Sequence, residues 1–168
     1  LEPKIKAFAN ISENNAIELA IKSEKRYREK KPLSILDGCP FAVKDMINTA
    51  KIPTEMNNPF YANWYAPVDA ACVNALKAAG AILIGKTVTT PFAVGHTNDT
   101  RNPHDYKKTP GGSSSGSGAA VGSGIIPFAL GTQTRGSLIR PASFCGAVGF
   151  KPTLNSIHMG GIHPLSAT

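Results

Sequence analysis

Asp69-Ala70-Ala71-Cys72-Val73-Asn74-Ala75-Leu76-Lys77-Ala78-Ala79-Gly80-Ala81-Ile82-Leu83-Ile84-Gly85 reads as a helix that passes the chain directly to a strand. Val73 and Leu76 share one helical face, and Gly80 stands where a C′ glycine ends a helix. The apolar run Ala81 to Ile84 leaves no polar face, so the strand is expected to be buried on both sides. Helices must then cover both faces of the sheet, which makes the fold class α/β.

Upstream, Ser12 is placed to cap a helix that runs to about Arg28, with Ile17, Ala20 and Ile21 as its apolar stripe and Pro32 closing it. Cys39-Pro40-Phe41-Ala42-Val43-Lys44-Asp45-Met46 comes after Gly38 and reads as a short buried strand that turns polar at its end. Downstream, Ala119-Ala120-Val121 is expected to begin a helix, Ile125 to Leu130 a buried strand, and Ala147 to Phe150 another short one. No internal repeat is present.

A chain of 168 residues, 42% hydrophobic, can bury one core of ordinary size. It begins at Leu1 and ends at Thr168 after a glycine-rich segment, and is expected to be part of a longer protein. The net charge of +7 is concentrated at Lys22, Lys25, Arg26, Arg28, Lys30 and Lys31. Only Tyr27 accompanies that run, so a solvated helix end is expected there rather than a nucleic-acid surface. Cys39, Cys72 and Cys145 are far apart, and His96, His104, His158 and His163 lack ligand spacing, so neither a disulfide framework nor a metal site is expected. Unpaired cysteines fit a reducing, cytoplasmic compartment. No apolar run approaches the roughly 18 residues of a membrane helix.

Gly111-Gly112-Ser113-Ser114-Ser115-Gly116-Ser117-Gly118 holds four serines and four glycines in eight residues. It lacks the lysine of a phosphate-binding Walker loop, and Gly116-Ser117-Gly118 with Gly122 misses the dinucleotide spacing by one residue. Gly112 to Gly116 satisfies G-x-S-x-G, but a loop rather than a strand precedes it, and no Asp or Glu comes after Asp105 to complete a Ser-His-Asp set. A flexible linker is disfavoured, because the stretch feeds apolar segments that belong in a core, and a serine paired with a lysine remains.

Lys44 ends an apolar strand. Burial lowers a lysine pKa, and a neutral lysine can serve as base for a serine hydroxyl. A salt bridge to Asp45, or a side chain reaching out to solvent, would account for Lys44 equally well. Gly131-Thr132-Gln133-Thr134-Arg135-Gly136-Ser137 comes directly after the strand ending at Leu130, which puts Ser137 on a turn whose backbone N–H groups can converge on an oxyanion.

Three segments together, Gly38 to Asp45, Gly111 to Ser117, and Gly131 to Ser137 continuing to Lys151-Pro152-Thr153, resemble the amidase signature family. Gly85-Lys86-Thr87 and Arg101-Asn102-Pro103 also fit its pattern, and the resemblance extends over nearly the whole chain. It implies a mixed β-sheet sandwiched by helices, with residues 1–168 as an N-terminal part and the remainder of the domain beyond Thr168. It implies Ser137 as nucleophile, Ser113 as a bridging serine next to a cis peptide, and Lys44 as base. The oxyanion hole would be the N–H groups of Thr134, Arg135, Gly136 and Ser137, with the hydroxyls of Ser114 and Ser117 behind them.

The implied reaction is hydrolysis of a small-molecule carboxamide without cofactor, metal, nucleic acid or membrane, in a protein that could pair as a homodimer. The Gly-Thr-Gln-Thr form favours a small-amide amidase over the glutamine-hydrolysing subunit of a glutamyl-tRNA amidotransferase. The third reading is a truncated, non-catalytic relative. Arg135 stands where the family usually has glycine, which requires a negative φ if the hole is to form without strain. Gln133 replaces a frequent Asp. Arg140 is expected to contact a substrate carboxylate, with a structural arginine tying the turn to the sheet as the alternative.

Overall fold

The computed structural model describes residues 1–165; the remainder of the domain, expected beyond Thr168, lies outside them. Helix α1 (Glu2–Ile5) and strand β1 (Phe8–Ile11) lead into helix α2 (Glu13–Arg28). Next come strand β2 (Pro40–Lys44), helix α3 (Ala71–Ala78) and strand β3 (Ile82–Thr87). Helix α4 (Ser115–Gly122), strand β4 (Phe128–Leu130) and helix α5 (Ile139–Phe144) complete the order. The strands form one sheet, β1-β3-β2-β4, with β2 parallel to both β3 and β4, and β1 antiparallel to β3. This is the mixed α/β architecture that the helix-to-strand step predicts.

That step forms as expected. Val73 is fully buried, and Gly80 takes φ +91° just past the helix end. A Cβ at Gly80 would stand 2.8 Å from the Asp37 carboxyl carbon, so both the conformation and the space demand glycine.

Alternation along β2 divides the core. Phe41 and Val43 pack with Leu83 and Val73 on the α3 side, while Ala42 packs with Ala119 and Ala120 of α4 on the other. A bulge in β3 decides which face its last residues take. Phe41 pairs with Leu83 but Ala42 pairs with Gly85, so one extra residue, Ile84, enters the ladder. Beyond it Lys86 stands beside Val43, facing the α3 side, and Thr87 stands beside Lys44, facing α4.

Four sequence expectations are corrected. Ile17 and Ile21 of α2 are 53% and 61% exposed, and Ala20 is exposed with them. The inward face is Ala16, Leu19, Ser23 and Arg26, where Arg26 forms a two-pronged ion pair with the buried Asp37. The expected strand at Ala147–Phe150 is irregular chain; no strand lies beside it among the described residues, and Val148 is 98% exposed. The strand expected from Ile125 to Leu130 is only Phe128–Leu130. The Gly/Ser stretch is a loop only to Ser114; helix α4 already begins at Ser115, before Ala119.

The basic run on α2 is largely paired, through Lys22–Glu18, Arg28–Glu24, Lys25–Glu29 and Arg26–Asp37. Among the described residues no helix is long and apolar enough to cross a membrane.

Candidate active site

The three parallel strands end together. Beyond their carboxyl ends, where the crossover from β2 to β3 and the return from β3 to β4 run in opposite directions, open sheets of this kind form their binding crevices. Lys44 is the last residue of β2 and its side chain lies on the α4 face with no solvent exposure. Its Nζ donates to Ser113 Oγ at 2.6 Å and to Thr132 Oγ1 at 2.7 Å. The salt bridge to Asp45 does not form: Asp45 points to the other face and pairs with Lys86 at 3.3 Å. Without an anionic partner to oppose it, burial pushes the Lys44 pKa down to about 7.

Ser113 reaches Lys44 from the loop before α4, and the Gly112–Ser113 peptide is cis. Its carbonyl accepts from Thr90 N at 3.0 Å. Glycine and serine are poor helix formers, so α4 owes its existence to close packing rather than propensity. A Cβ at Gly118 would lie 2.8 Å from the Pro141 carbonyl oxygen, in the contact that sets α4 against α5.

The flanking serines secure this frame. Ser114 Oγ donates to Thr132 O at 3.2 Å, and Ser114 N donates to Ser137 O at 3.0 Å. Ser117 Oγ lies 2.7 Å from Thr87 Oγ1 and donates to Leu130 O. Both expected supporting hydroxyls therefore tie α4 to the strand ends around Lys44. Ser115 Oγ also donates to Val88 O and accepts from Asn98 Nδ2.

Ser137 lies on the turn before α5. Gln133 Oε1 accepts from both Leu138 N and Ile139 N at 2.9 Å, capping α5 and drawing the loop tight. Among the described residues the N–H groups of Thr134, Arg135, Gly136 and Ser137 donate to no protein acceptor, and all four residues line one cavity of about 690 Å³. Arg135 is not among the residues with positive φ, so the exchange from glycine imposes no left-handed backbone. Ser113 and Ser137 line the same cavity; among the described residues no hydrogen bond joins their hydroxyls.

Arg140 is engaged by the chain itself. Its Nε and Nη2 both donate to Gly112 O, at 3.0 and 2.6 Å, so it grips the Gly112–Ser113 link rather than the sheet.

Sequence reasoning missed Thr132, Gln133 and Lys86 as parts of this assembly. Lys86 is fully buried on the α3 side, donating to Ile47 O at 2.7 Å and Thr54 Oγ1 at 2.6 Å beside its pairing with Asp45. Burial pushes its pKa down to about 8, with Asp45 opposing. Replacing Lys86 by methionine should destabilise the protein by about 3–5 kcal/mol, because Asp45 is left buried without its counterion. Urea unfolding of the full-length protein checks this. The double change Lys86→Met with Asp45→Asn should regain much of the loss; full stability of the single variant would contradict it.

Comparison with known proteins agrees with this geometry. The chain matches the Amidase family over residues 1–168. It is 39% identical over 168 residues to a glutamyl-tRNA(Gln) amidotransferase subunit of Heliobacterium modesticaldum, covering 96% of this chain and 34% of that protein. The subunit of the same name from Alkaliphilus metalliredigens is 41% identical over 169 residues, with the same coverage. Among solved structures, a native peptide amidase from Stenotrophomonas maltophilia superposes with a TM-score of 0.90 at 33% identity, over 98% of this chain and 36% of that one. The corresponding amidotransferase subunit from Thermotoga maritima superposes at 0.82 and 35%, over 96% and 34%. The chain thus spans about a third of the length of the curated relatives it matches. The family match runs the whole length and the fold superposes on solved relatives at 33% and 35% identity, and the chain belongs to the amidase signature family.

Proposed function

We propose that the protein hydrolyses carboxamides through a serine acyl-enzyme. The observation that carries this is a buried lysine with no anionic partner, 2.6 Å from a serine hydroxyl on the wall of a cavity. With Lys44 neutral, one of its N–H bonds remains on Thr132 Oγ1 and its lone pair receives the Ser113 proton. Ser113 in turn takes the proton of Ser137 as Ser137 Oγ bonds to the amide carbon. The oxyanion meets the free N–H groups of the 134–137 loop. Collapse breaks the C–N bond, and the proton stored on Lys44 returns through Ser113 to the leaving nitrogen. Water then adds to the acyl carbon and gives a proton to the same relay; the bond from the acyl carbon to Ser137 Oγ breaks as that proton returns to Oγ, releasing the acid.

A glutamine-hydrolysing amidotransferase subunit is the second reading, favoured by the names of the sequence relatives. It uses the same acyl-enzyme and differs in where the ammonia goes. Ammonia release from a simple amide by the full-length protein alone supports the amidase reading over it.

A fluorophosphonate probe tests the shared chemistry. Mass spectrometry of the labelled full-length protein should find the adduct on Ser137. A folded protein that takes no label, or takes it elsewhere, would favour a non-catalytic binding role.

A further inference from the structure

We propose that Arg135 is the anchor for a carboxylate on the substrate, making the site selective for short amides that carry one. This rests on the amide-hydrolase reading.

The chain has five arginines, and four are already engaged. Arg26 holds Asp37, Arg28 holds Glu24, Arg101 donates to Tyr106 O, and Arg140 holds Gly112 O. Among the described residues Arg135 alone has no hydrogen-bond or ion-pair partner, and it lines the cavity. Among the described residues no Asp or Glu lines that cavity, so the Arg135 and Arg140 guanidinium charges there are not offset by a carboxylate. Residues 106–168, which build the Ser113 and Ser137 walls, contain no Asp or Glu. A recess with this charge pattern attracts anions.

Position sets the spacer. Arg135 is two residues before Ser137, a span of at most about 7 Å along the backbone. In the proposed mechanism its unpaired N–H meets the oxyanion, and its side chain starts from the same Cα. One residue therefore holds both the reacting carbonyl and a group a few bonds away. The planar guanidinium fork matches a carboxylate with two parallel hydrogen bonds. A glycine at this position could supply the N–H but not the fork.

The experiment compares succinamate, which carries a carboxylate, with butyramide, which has a methyl group there. The readout is the ratio of their kcat/KM values in the full-length protein, because the backbone N–H of residue 135 serves both amides alike. Arg135→Gln should lower the ratio on the order of 10- to 100-fold, and Arg135→Lys, which keeps charge without the fork, should fall between. Arg140→Gln should lower both amides together and leave the ratio within about twofold, since it loosens the Gly112 grip that every substrate needs. An unchanged ratio in Arg135→Gln overturns the proposal. If neither amide is turned over, the hydrolase reading fails for these probes, and succinate binding by calorimetry decides the anchor. A weaker Kd in Arg135→Gln by the same factor supports it; equal affinity overturns it.

Discussion

Exchange of Ser137 for alanine is expected to lower amide turnover by about 10⁶-fold, the scale on which loss of a serine nucleophile is felt in a relay of this type. The Oγ of Ser137 would form the covalent bond to the acyl carbon, while the other serine on the wall is already engaged. Ser113 is held by Lys44 and sits behind it. The backbone of Ser137 does separate work: its carbonyl accepts from Ser114 N, and that bond survives the change to alanine. The variant should therefore unfold at the same urea concentration as the parent while losing the fluorophosphonate adduct. Residual hydrolysis above the uncatalysed rate would come from the oxyanion-facing N–H groups. Turnover within tenfold of the parent would exclude Ser137 as nucleophile.

Replacing Lys44 by methionine should lower kcat/KM by about 10³- to 10⁴-fold, the upper range for a general base. The pH profile gives this its sign. Burial holds the Lys44 pKa near 7, and only the neutral amine can accept a proton. The parent's kcat/KM should therefore climb about tenfold per pH unit below that value and level off above it. In Lys44→Met that rising limb should vanish, leaving a flat profile over the same range. Persistence of the limb would assign the titration to another group.

Much of the fold and the site was legible from the chain, for reasons visible in particular residues. The glycine-ended helix running into Ala81-Ile82-Leu83-Ile84 is a local signal, and it formed where expected. Lys44 stood out because an ammonium at the end of an apolar strand needs a reason. The face of α2 was not legible, because two stripes at helical spacing coexist in one sequence. The stripe that packs inward includes Ser23 and Arg26, whose burial is compensated by the ion pair of Arg26 with Asp37, eleven residues away. Helix α4 was hidden by its composition, since contacts with Pro141 and Ser137 outweigh its propensity. Thr132 could not be found from spacing: it reaches Lys44 only because β2 and β4 are parallel neighbours.

The extra residue in β3 bears on how the protein tells its two buried lysines apart. Shifting the side-chain parity of a strand by one position exchanges its faces. With Ile84 in the ladder, Lys86 lies against Asp45 and remains a structural cation, while Lys44 across the sheet has hydroxyls for company and can be uncharged near neutrality. Were Ile84 paired in regular alternation rather than bulged, Lys86 would share a face with Lys44. Two ammonium groups would then compete for Ser113 and Thr132, and Asp45 would have no counterion. A single count along one strand thus divides labour between a lysine that holds the fold and a lysine free to move protons.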